Sequence, residues 1–282
     1  METGEGFVIC QLRGKLKQGR ATGDIAALGD LVQITILTDG SGVIEKVGER
    51  KRAIIRLDPR PQGEYQQVLL ANADQAVFVF ACANPSPRLR MLDRFLVITE
   101  KQKIPAVVIA NKTDLIEDAH KLFQVYESLG YRVIYTSTKT GMGLDELKSQ
   151  LTGRVSALAG PSGVGKSSLL NAIQPGLGLA VNEISAAMNK GRHTTVTRQL
   201  FALEGGGYVA DTPGWKSLAL WDTEPEEMDA YFPELRDLVP HCQFSDCTHK
   251  HEPGCAVRKA LKEGKIHPER YDSYLRLRAG QE

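Results

Sequence analysis

The sequence predicts a parallel α/β domain of circularly permuted order, with an all-β segment before it and a small cysteine-rich helical segment after it. Two polar motifs carry this prediction. NKTD at Asn111–Asp114 and the glycine-rich GPSGVGKSS at Gly160–Ser168 each follow an apolar run that is typical of a buried strand. They stand in the reverse of their usual chain order, and this inversion indicates the permutation.

The glycine-rich motif predicts a phosphate-binding loop of the pattern G-x4-G-K-[ST]. The apolar run Val155–Ala159 precedes it and the helix start Ser168–Ile173 follows, a context that disfavours the alternative of a chance glycine-rich turn. Glycines let backbone N–H groups face phosphate oxygens, and the helix N-terminus adds positive potential. Lys166 would reach the β- and γ-phosphates, and the Ser167 hydroxyl would ligate Mg²⁺. The predicted phosphate-contacting residues are Gly160, Pro161, Ser162, Gly163, Val164, Gly165, Lys166, Ser167 and Ser168.

NKTD predicts the selection of a guanine base. The carboxylate of Asp114 can accept two hydrogen bonds, from the ring N–H and the exocyclic amine of guanine, and adenine lacks this pair of donors. The Lys112 stem can lie along the base, and Asn111 can tether this loop to the phosphate loop. Alone, the tetrapeptide could equally be a turn or a helix cap. Beside the other motifs, a base-binding role is favoured for Asn111, Lys112, Thr113 and Asp114.

A second base-binding loop is predicted at Thr136–Lys139, which follows the apolar run Arg132–Tyr135. A backbone N–H that contacts the base is expected here, and Ser137 and Thr138 are the candidates. Both base loops therefore precede the phosphate loop in the chain.

The loops around the γ-phosphate are predicted after the phosphate loop. Asp211–Gly214 ends an apolar run, so that Asp211 would hold Mg²⁺ through water and the Gly214 N–H would sense the γ-phosphate. Gly191–Thr195 occupies the place of a switch I loop and offers a threonine to Mg²⁺, and the choice between its two threonines stays open. The predicted magnesium residues are Ser167, Thr194, Thr195 and Asp211.

The order of the motifs is thus base loop, base loop, phosphate loop, switch I and switch II. Rotating this order restores that of an ordinary Ras-like GTPase, so the sequence predicts a circularly permuted GTPase domain. A permutation preserves the sheet if the parent termini lie close together, as domain termini often do. The segment Gly143–Arg154, with leucines at helical spacing, makes the new connection.

The residue that orients the attacking water differs from the Ras-like pattern. Efficient Ras-like enzymes place Gln directly after DxxG, and this chain has Trp215 there. An indole cannot accept a proton from water, whereas the neutral imidazole of His193 can do so near pH 7. A role of His193 in partner contact alone is the alternative. Slow turnover without a partner is expected, and the predicted catalytic residues are His193, Lys166, Thr194, Thr195 and Gly214.

Four potential metal ligands fall within fourteen residues near the C-terminus: Cys242, Cys247, His249 and Cys255. Such a cluster in a cytosolic protein indicates a metal rather than disulfides. Three thiolates and one imidazole would close a tetrahedral Zn²⁺ shell and leave no position for a catalytic water, so a structural zinc is expected. His241 and His251 are rival ligands by proximity, and a loop with clustered free cysteines is the alternative.

The chain resembles the family of ribosome small-subunit-dependent GTPases called RsgA, and the resemblance covers nearly its whole length. Gly191–Thr195 matches the switch I signature of the family, and Asp246–His249 with Glu252–Cys255 matches its zinc signature. Leu92–Leu96 is also similar to the family, whereas Ala83–Pro87 departs from the common pattern.

This resemblance implies three domains: an RNA-binding OB-fold at 1–62, a permuted GTPase domain at 63–222 and a zinc-binding helical domain at 223–282. It implies a GTPase that binds the small ribosomal subunit, assists its late maturation and hydrolyses GTP to GDP and phosphate when the subunit stimulates it. The expected cofactors are one structural Zn²⁺ and the Mg²⁺ that accompanies GTP. The expected partners are GTP or GDP and the small subunit with its rRNA.

The N-terminal segment by itself predicts a small barrel. Short runs alternate or are apolar with β-branched residues, and Gly and Asp punctuate them. These runs are Gly6–Lys17, Gly29–Ile36, Gly42–Val47 and Arg52–Leu57. Acidic side chains nearly balance the basic ones, so a solvated surface and an RNA-binding surface both stay open. Two short helices are predicted at Ala256–Gly264 and Pro268–Arg278.

Composition excludes several classes of protein. Hydrophobic residues make up 42% of the 282 residues, which argues against disorder. No apolar run approaches membrane-spanning length and Met1–Gly6 is too polar for a signal peptide, so a cytoplasmic protein without a membrane partner is expected. A net charge of +1 means that RNA binding must use one face. Cys10 and Cys82 are expected as core thiols, and nothing in the pattern indicates more than a monomer.

Two other functions stay open at this level. One is a regulatory GTPase of the same architecture with a different RNA or protein partner. The other is a GTP-gated RNA-binding module with negligible turnover. The complete set of Lys166, Ser167 and Asp211 argues against this alternative, whereas Trp215 in place of Gln is consistent with it. Asp114 disfavours an ATPase or kinase, and the closed four-ligand cluster disfavours a zinc hydrolase.

Overall fold

The computed structural model describes residues 1–4, 6–17, 23–60, 63–179, 199–211 and 223–281 of the 282-residue chain. The chain divides into two compact units, Met1–Ala73 and Asp74–Glu282. Among the helices of the described ranges, none combines the length and the apolar character that crossing a bilayer requires.

The first unit contains short strands in three small sheets. Its strands are β1 (Glu2–Thr3), β2 (Gly6–Phe7), β3 (Cys10–Leu12), β4 (Val32–Ile36), β5 (Gly42–Val47), β6 (Ala53–Arg60) and β7 (Gly63–Ala71). β1 pairs with β2, and β6 pairs with β7, both in antiparallel fashion. In the third sheet, β5 lies in the middle, parallel to β3 and antiparallel to β4.

One expectation for this unit differs from the structure. The strand expected over Gly6–Lys17 is interrupted, and Gly14–Lys17 forms a 3₁₀ turn. The Arg13 N–H still donates to the Ile44 carbonyl of β5 at 3.2 Å, but the Leu16 N–H then turns back to the Arg13 carbonyl at 2.9 Å. The compact unit ends at Ala73 and includes the antiparallel pair of β6 and β7.

The second unit is built on a six-stranded sheet of order β10–β9–β8–β11–β13–β12. Its strands are β8 (Gln75–Ala81), β9 (Ala106–Asn111), β10 (Arg132–Thr136), β11 (Val155–Ala159), β12 (Gln199–Ala202) and β13 (Tyr208–Asp211). Neighbouring strands are parallel except at the edge, where β12 is antiparallel to β13. Every residue of β8 is buried, as expected for a central strand of a parallel sheet covered on both faces.

The sheet order confirms the predicted permutation. β11 carries the phosphate loop and lies in the middle of the sheet between β8 and β13, although three strands of this sheet precede it in the chain. In an unpermuted order, β11 would come first and the run β8–β9–β10 would follow β13. Because the strands are parallel, the loops after β9, β10 and β11 start at the same carboxyl edge, where β13 also ends.

The helices of the second unit are α1 (Leu89–Gln102), α2 (His120–Ser128), α3 (Leu144–Leu151), α4 (Lys166–Ile173), the single turn α5 (Pro233–Arg236), α6 (Ala256–Lys262) and α7 (Pro268–Arg278). Four of them lie where the sequence predicts them, namely α3, α4, α6 and α7, whereas α1, α2 and α5 were not among the predicted elements. α3 is the predicted new connection, and Leu147 and Leu151 bury its apolar face against the sheet core. The Cys255 Sγ accepts from the Arg258 N–H at 3.4 Å and so caps the N-terminus of α6.

A buried polar network fastens α7 to α1. The Arg270 guanidinium on α7 donates to Asp93 of α1 at 2.7 Å and to Glu234 of α5 at 2.7 Å. Asp93 also accepts from the Tyr126 hydroxyl at 2.8 Å and from the Ser273 hydroxyl. Burial works against the charge on Arg270, but the two carboxylates outweigh it and raise the pKa of the guanidinium. The sequence motif Leu92–Leu96 therefore has a structural role, which is to present Asp93 to the C-terminal helix.

Candidate nucleotide site and metal cluster

The phosphate loop has glycines where no side chain fits. Gly160 has φ +151°, and a Cβ there would lie 2.2 Å from the Val79 carbonyl oxygen. Gly165 has φ +97°, and a Cβ there would lie 2.5 Å from the side-chain nitrogen of Asn111. Only glycine tolerates both the left-handed backbone and these close approaches. The loop is therefore held against the neighbouring strand ends.

Lys166 folds back over the loop. Its ammonium donates to the carbonyl oxygens of Gly160 at 3.0 Å and of Pro161 at 2.9 Å. Lys166 and Ser167 are both buried in the first turn of α4, whereas Ser162 and Gly163 are exposed at the tip of the loop. The loop thus carries a positive charge at its centre and backbone groups at its open rim.

The NKTD loop reaches the phosphate loop through two side chains. Lys112, in the left-handed conformation with φ +62°, donates from its ammonium to the Gly163 carbonyl at 2.7 Å and to the Asn84 carbonyl. The Asn111 amide donates to the Val164 carbonyl at 2.8 Å. The expected tether between base loop and phosphate loop is therefore present in the geometry.

The two base loops are also joined to each other. The Ser137 hydroxyl donates to a carboxylate oxygen of Asp114 at 2.6 Å, and the Thr113 hydroxyl donates to the Thr136 carbonyl at 3.2 Å. The ammonium of Lys139 lies 4.0 Å from the other carboxylate oxygen of Asp114. Thr138 is exposed between them. The carboxylate is thereby oriented while lone pairs remain for a ligand.

Part of the predicted site lies outside the described residues. His193, Thr194 and Thr195 fall in the range 180–198, and Gly214 falls in the range 212–222. Asp211 ends β13 beside the phosphate-loop strand, where it pairs with Leu158, and its side chain is likewise outside the description.

The four predicted metal ligands form one cluster. One ligand atom from each residue lies within 4.8 Å of the others, and three of the four side chains are buried. The Nδ1 atom of His249 lies 3.6 Å from the Cys242 Sγ and 3.4 Å from the Cys255 Sγ. Burial, and then the neighbouring Cys255 thiol, raise the pKa of the Cys247 thiol to about 12. A bound cation would reverse this shift, because it stabilises the thiolate, and the cluster can therefore hold a metal ion.

His249 is positioned by groups that the sequence alone does not indicate. Its Nε2 lies 3.1 Å from a carboxylate oxygen of Asp229, an arrangement that orients the ring and leaves Nδ1 for the cluster. Its carbonyl accepts from the Tyr271 hydroxyl at 2.5 Å, and its backbone is left-handed with φ +63°. The rival ligands His241 and His251 are exposed and do not belong to the cluster.

Glu252 organises the loop between the second and fourth metal ligands. Its carboxylate accepts from the Thr248 hydroxyl and from the N–H groups of Thr248 at 2.9 Å, Lys250 at 2.9 Å and His251 at 3.0 Å. These bonds hold the pKa of Glu252 well below its usual range, with the Thr248 hydroxyl as the largest cause.

Sheet order, phosphate loop and base loops together define a circularly permuted GTPase of the P-loop class. The family model described as RsgA GTPase matches residues 47–221 of this chain. The small ribosomal subunit biogenesis GTPase RsgA of Gemmatimonas aurantiaca is 44% identical over 98% of this chain and 91% of its own length. The protein of that name from Thermotoga petrophila is 43% identical over 98% of this chain and 89% of its own. The chain belongs to the RsgA GTPase family.

Two solved structures share this fold. The crystal structure of YjeQ from Thermotoga maritima superposes with a TM-score of 0.77 at 39% identity, over 98% of this chain and 91% of that one. The crystal structure of YloQ, a circularly permuted GTPase, superposes with a TM-score of 0.72 at 34% identity, over 97% and 86%.

Proposed function

We propose that this chain is a GTPase of small ribosomal subunit biogenesis. It binds the small subunit, hydrolyses GTP to GDP and phosphate faster when bound there, and assists late maturation of the subunit. The names of its relatives support the ribosomal part of this function. The bond from Asn111 to Val164 carries the nucleotide part, because it joins a guanine-type loop to a phosphate loop as one site.

The nucleotide is proposed to lie along the carboxyl edge of the sheet. Asp114 accepts from guanine, and the Lys112 stem covers one face of the base. The Lys166 ammonium exchanges its bonds to the carbonyls of Gly160 and Pro161 for phosphate oxygens. Ser167, Asp211 and one of Thr194 and Thr195 would hold the Mg²⁺ that accompanies GTP. The ion would supply positive charge to the phosphates.

Hydrolysis is proposed to depend on a partner. The chain has Trp215 where Ras-like enzymes use Gln, so its own residues order the attacking water poorly. His193 in switch I would position this water, and Gly214 would sense the γ-phosphate. Replacing His193 by Ala should lower subunit-stimulated turnover and leave GTP affinity unchanged. Unaltered stimulated turnover would remove His193 from the reaction.

The metal of the cysteine–histidine cluster is proposed to be a structural Zn²⁺. Zn–N bonds of about 2.0 Å and Zn–S bonds of about 2.3 Å place a tetrahedral nitrogen and sulfur about 3.5 Å apart. The His249 Nδ1 lies 3.6 Å from the Cys242 Sγ and 3.4 Å from the Cys255 Sγ, which fits this spacing. All four positions are filled by side chains, so the ion stabilises the fold of the segment. Elemental analysis of the purified chain should find one zinc per chain, which His249→Ala should lose and His251→Ala should keep.

Three domains are proposed around this site: an OB-fold at 1–62 that contacts rRNA, the permuted GTPase domain at 63–222 and the zinc-binding domain at 223–282. The parallel pairing of β3 with β5 beside antiparallel pairs is compatible with a small Greek-key barrel. The protein is proposed to act in the cytoplasm as a monomer.

GTP turnover tests the proposal directly. The full chain is measured alone and with purified small subunits, large subunits or free rRNA. Stimulation by small subunits only is expected. Equal and slow turnover in every mixture would instead favour a different partner or a GTP-gated binding module with negligible turnover.

A further inference from the structure

A groove of about 810 Å³ runs between the start of α1 and the length of α7 in the second unit, and its lining includes no residue of the phosphate loop. Arg88, Arg90 and Arg94 line one wall, and His267 and Arg276 line the other. Apolar side chains also face the groove, namely Leu89, Met91, Val125 and Leu277. We call this the arginine groove.

The arginine groove is positively charged. Its lining contains five arginines against three carboxylates, Asp93, Glu269 and Asp272. Two of these arginines are buried, Arg270 in the network with Asp93 and Arg94 on α1. The exposed positive charge comes from Arg88, Arg90 and Arg276. The first turn of α1 contains no acidic side chain that would reduce this potential.

The exposed arginines could exchange their present ion pairs for a ligand with little loss of stability. Asp272 is shared between the two walls, at 3.0 Å from the Arg90 guanidinium and 2.9 Å from that of Arg276. The side chains of Arg90 and Arg276 remain 65% and 45% exposed. Exposed pairs of this kind contribute little to stability. An anion bound between the walls could therefore replace Asp272 as the partner of the Arg90 and Arg276 guanidinium groups.

We propose that the arginine groove binds the phosphate backbone of an unpaired RNA segment. This inference rests on the proposed function, because the small subunit would bring RNA to the protein. Guanidinium groups bind phosphate through paired N–H donors. Unpaired RNA also turns its bases outward, and the apolar lining between the walls can contact a base face. An acidic protein segment would match the charge, and the test includes it.

The experiment uses the full chain with the charge-reversal pair Arg88→Glu/Arg90→Glu. The matched control is Arg132→Glu/Lys148→Glu, which changes charge equally at exposed positions elsewhere on the same unit. Affinity for purified small subunits and for free rRNA is measured at several salt concentrations with a non-hydrolysable GTP analogue. GDP affinity and thermal midpoint verify the fold of each variant. Arg276→Gln, on the opposite wall, is a milder second variant should the reversal pair misfold.

We expect the groove variant to bind small subunits and rRNA about tenfold more weakly than the control, with a salt slope lower by about one to two. If the wild-type chain binds small subunits but the groove variant and Arg276→Gln equal the control, the groove assignment fails and the proposed function stands. If the wild-type chain does not bind small subunits, the proposed function fails. If the groove variant loses binding of polyglutamate but retains that of rRNA, the partner is an acidic protein and the RNA assignment is wrong.

Discussion

The side-chain amide of Asn111 donates to the backbone carbonyl of Val164 at 2.8 Å and accepts from the Thr136 hydroxyl at 3.0 Å. Asn111 is 1% exposed. It ends β9, so this one buried side chain links both base loops to the phosphate loop. Base recognition and phosphate binding are therefore mechanically connected through the protein itself.

Asn111→Ala should accelerate nucleotide release. The substitution leaves the Val164 carbonyl and the Thr136 hydroxyl without their partner, and an unsatisfied buried polar group costs about 1–3 kcal/mol. If half of that cost appears in the bound state, GDP dissociation increases about tenfold, which stopped-flow fluorescence of a labelled GDP would measure. Thr136→Val is the control that removes only the second bond, and it should have a smaller effect. Equal dissociation rates for Asn111→Ala and wild type would contradict the tether.

Asp114→Asn should change the preferred base. In the wild type, the Ser137 hydroxyl donates to the Asp114 carboxylate at 2.6 Å, and the oxygen of an asparagine could still accept this bond. The NH₂ group of the asparagine would then face the two donors of guanine and could not accept from them. Hydrogen bonds to a charged group are worth about 1.5–3 kcal/mol each, so the loss of both should lower GTP affinity by at least about a hundredfold, and xanthosine triphosphate should bind better. Competition binding with both nucleotides measures this.

The control for the base exchange is Asp118→Asn, an exposed carboxylate before α2 that accepts from the Lys121 N–H at 3.3 Å. It should leave the guanine preference intact. An Asp114→Asn protein that still prefers guanine would show that another group selects the base.

Local sequence patterns predicted the elements that hold the nucleotide motifs. β11 occupies the run Val155–Ala159 that apolar patterning indicates, and α7 has the expected bounds Pro268–Arg278. The reason is that buried strands and glycine loops are encoded by adjacent residues. The prediction of a strand at Gly14–Lys17 was wrong. Alternation of residues along the sequence does not show where the pairing of the chain with β5 ends.

Long-range pairings were not predictable in this way. Asp93 and Arg270 are 177 residues apart, and each in isolation is compatible with an ordinary surface charge. Likewise, nothing near Asp229 in the sequence indicates that it orients His249, 20 residues later. A short pattern such as Cys-x-His reveals ligands, whereas the residues that support them are selected by the tertiary fold.

Glu252→Gln should destabilise the metal loop in a pH-dependent manner. The pKa of Glu252 is lowered in the folded protein from its ordinary value of 4.5, so its contribution is present above about pH 4.5 and is lost as pH falls. At pH 7 the variant should be less stable, by about 1 kcal/mol or less because the carboxylate is only partly buried. Below pH 4.5 the difference should shrink.

The measurement compares unfolding free energies of wild type and Glu252→Gln at each pH, because the titration of the metal ligands is shared and cancels in the difference. Glu263→Gln is a suitable control, since Glu263 also has a lowered pKa but lies beyond α6 and makes no bond to the metal loop. A difference between wild type and Glu252→Gln that is constant from pH 3 to pH 7 would contradict the role of the carboxylate.

Arg270→Ala should be the most damaging single change outside the nucleotide site. It leaves Asp93 and Glu234 buried without their shared cation, and breaking a buried ion pair from one side costs about 3–5 kcal/mol. Arg276→Ala, six residues later on the same helix, breaks only an exposed pair and should cost about 0–1 kcal/mol. Urea unfolding of both variants measures the contrast. Adding Asp93→Asn to Arg270→Ala should cost less than Asp93→Asn alone, because the two residues are directly coupled. Equal losses for the two arginine variants would mean that α7 is held to α1 by apolar packing and not by this network.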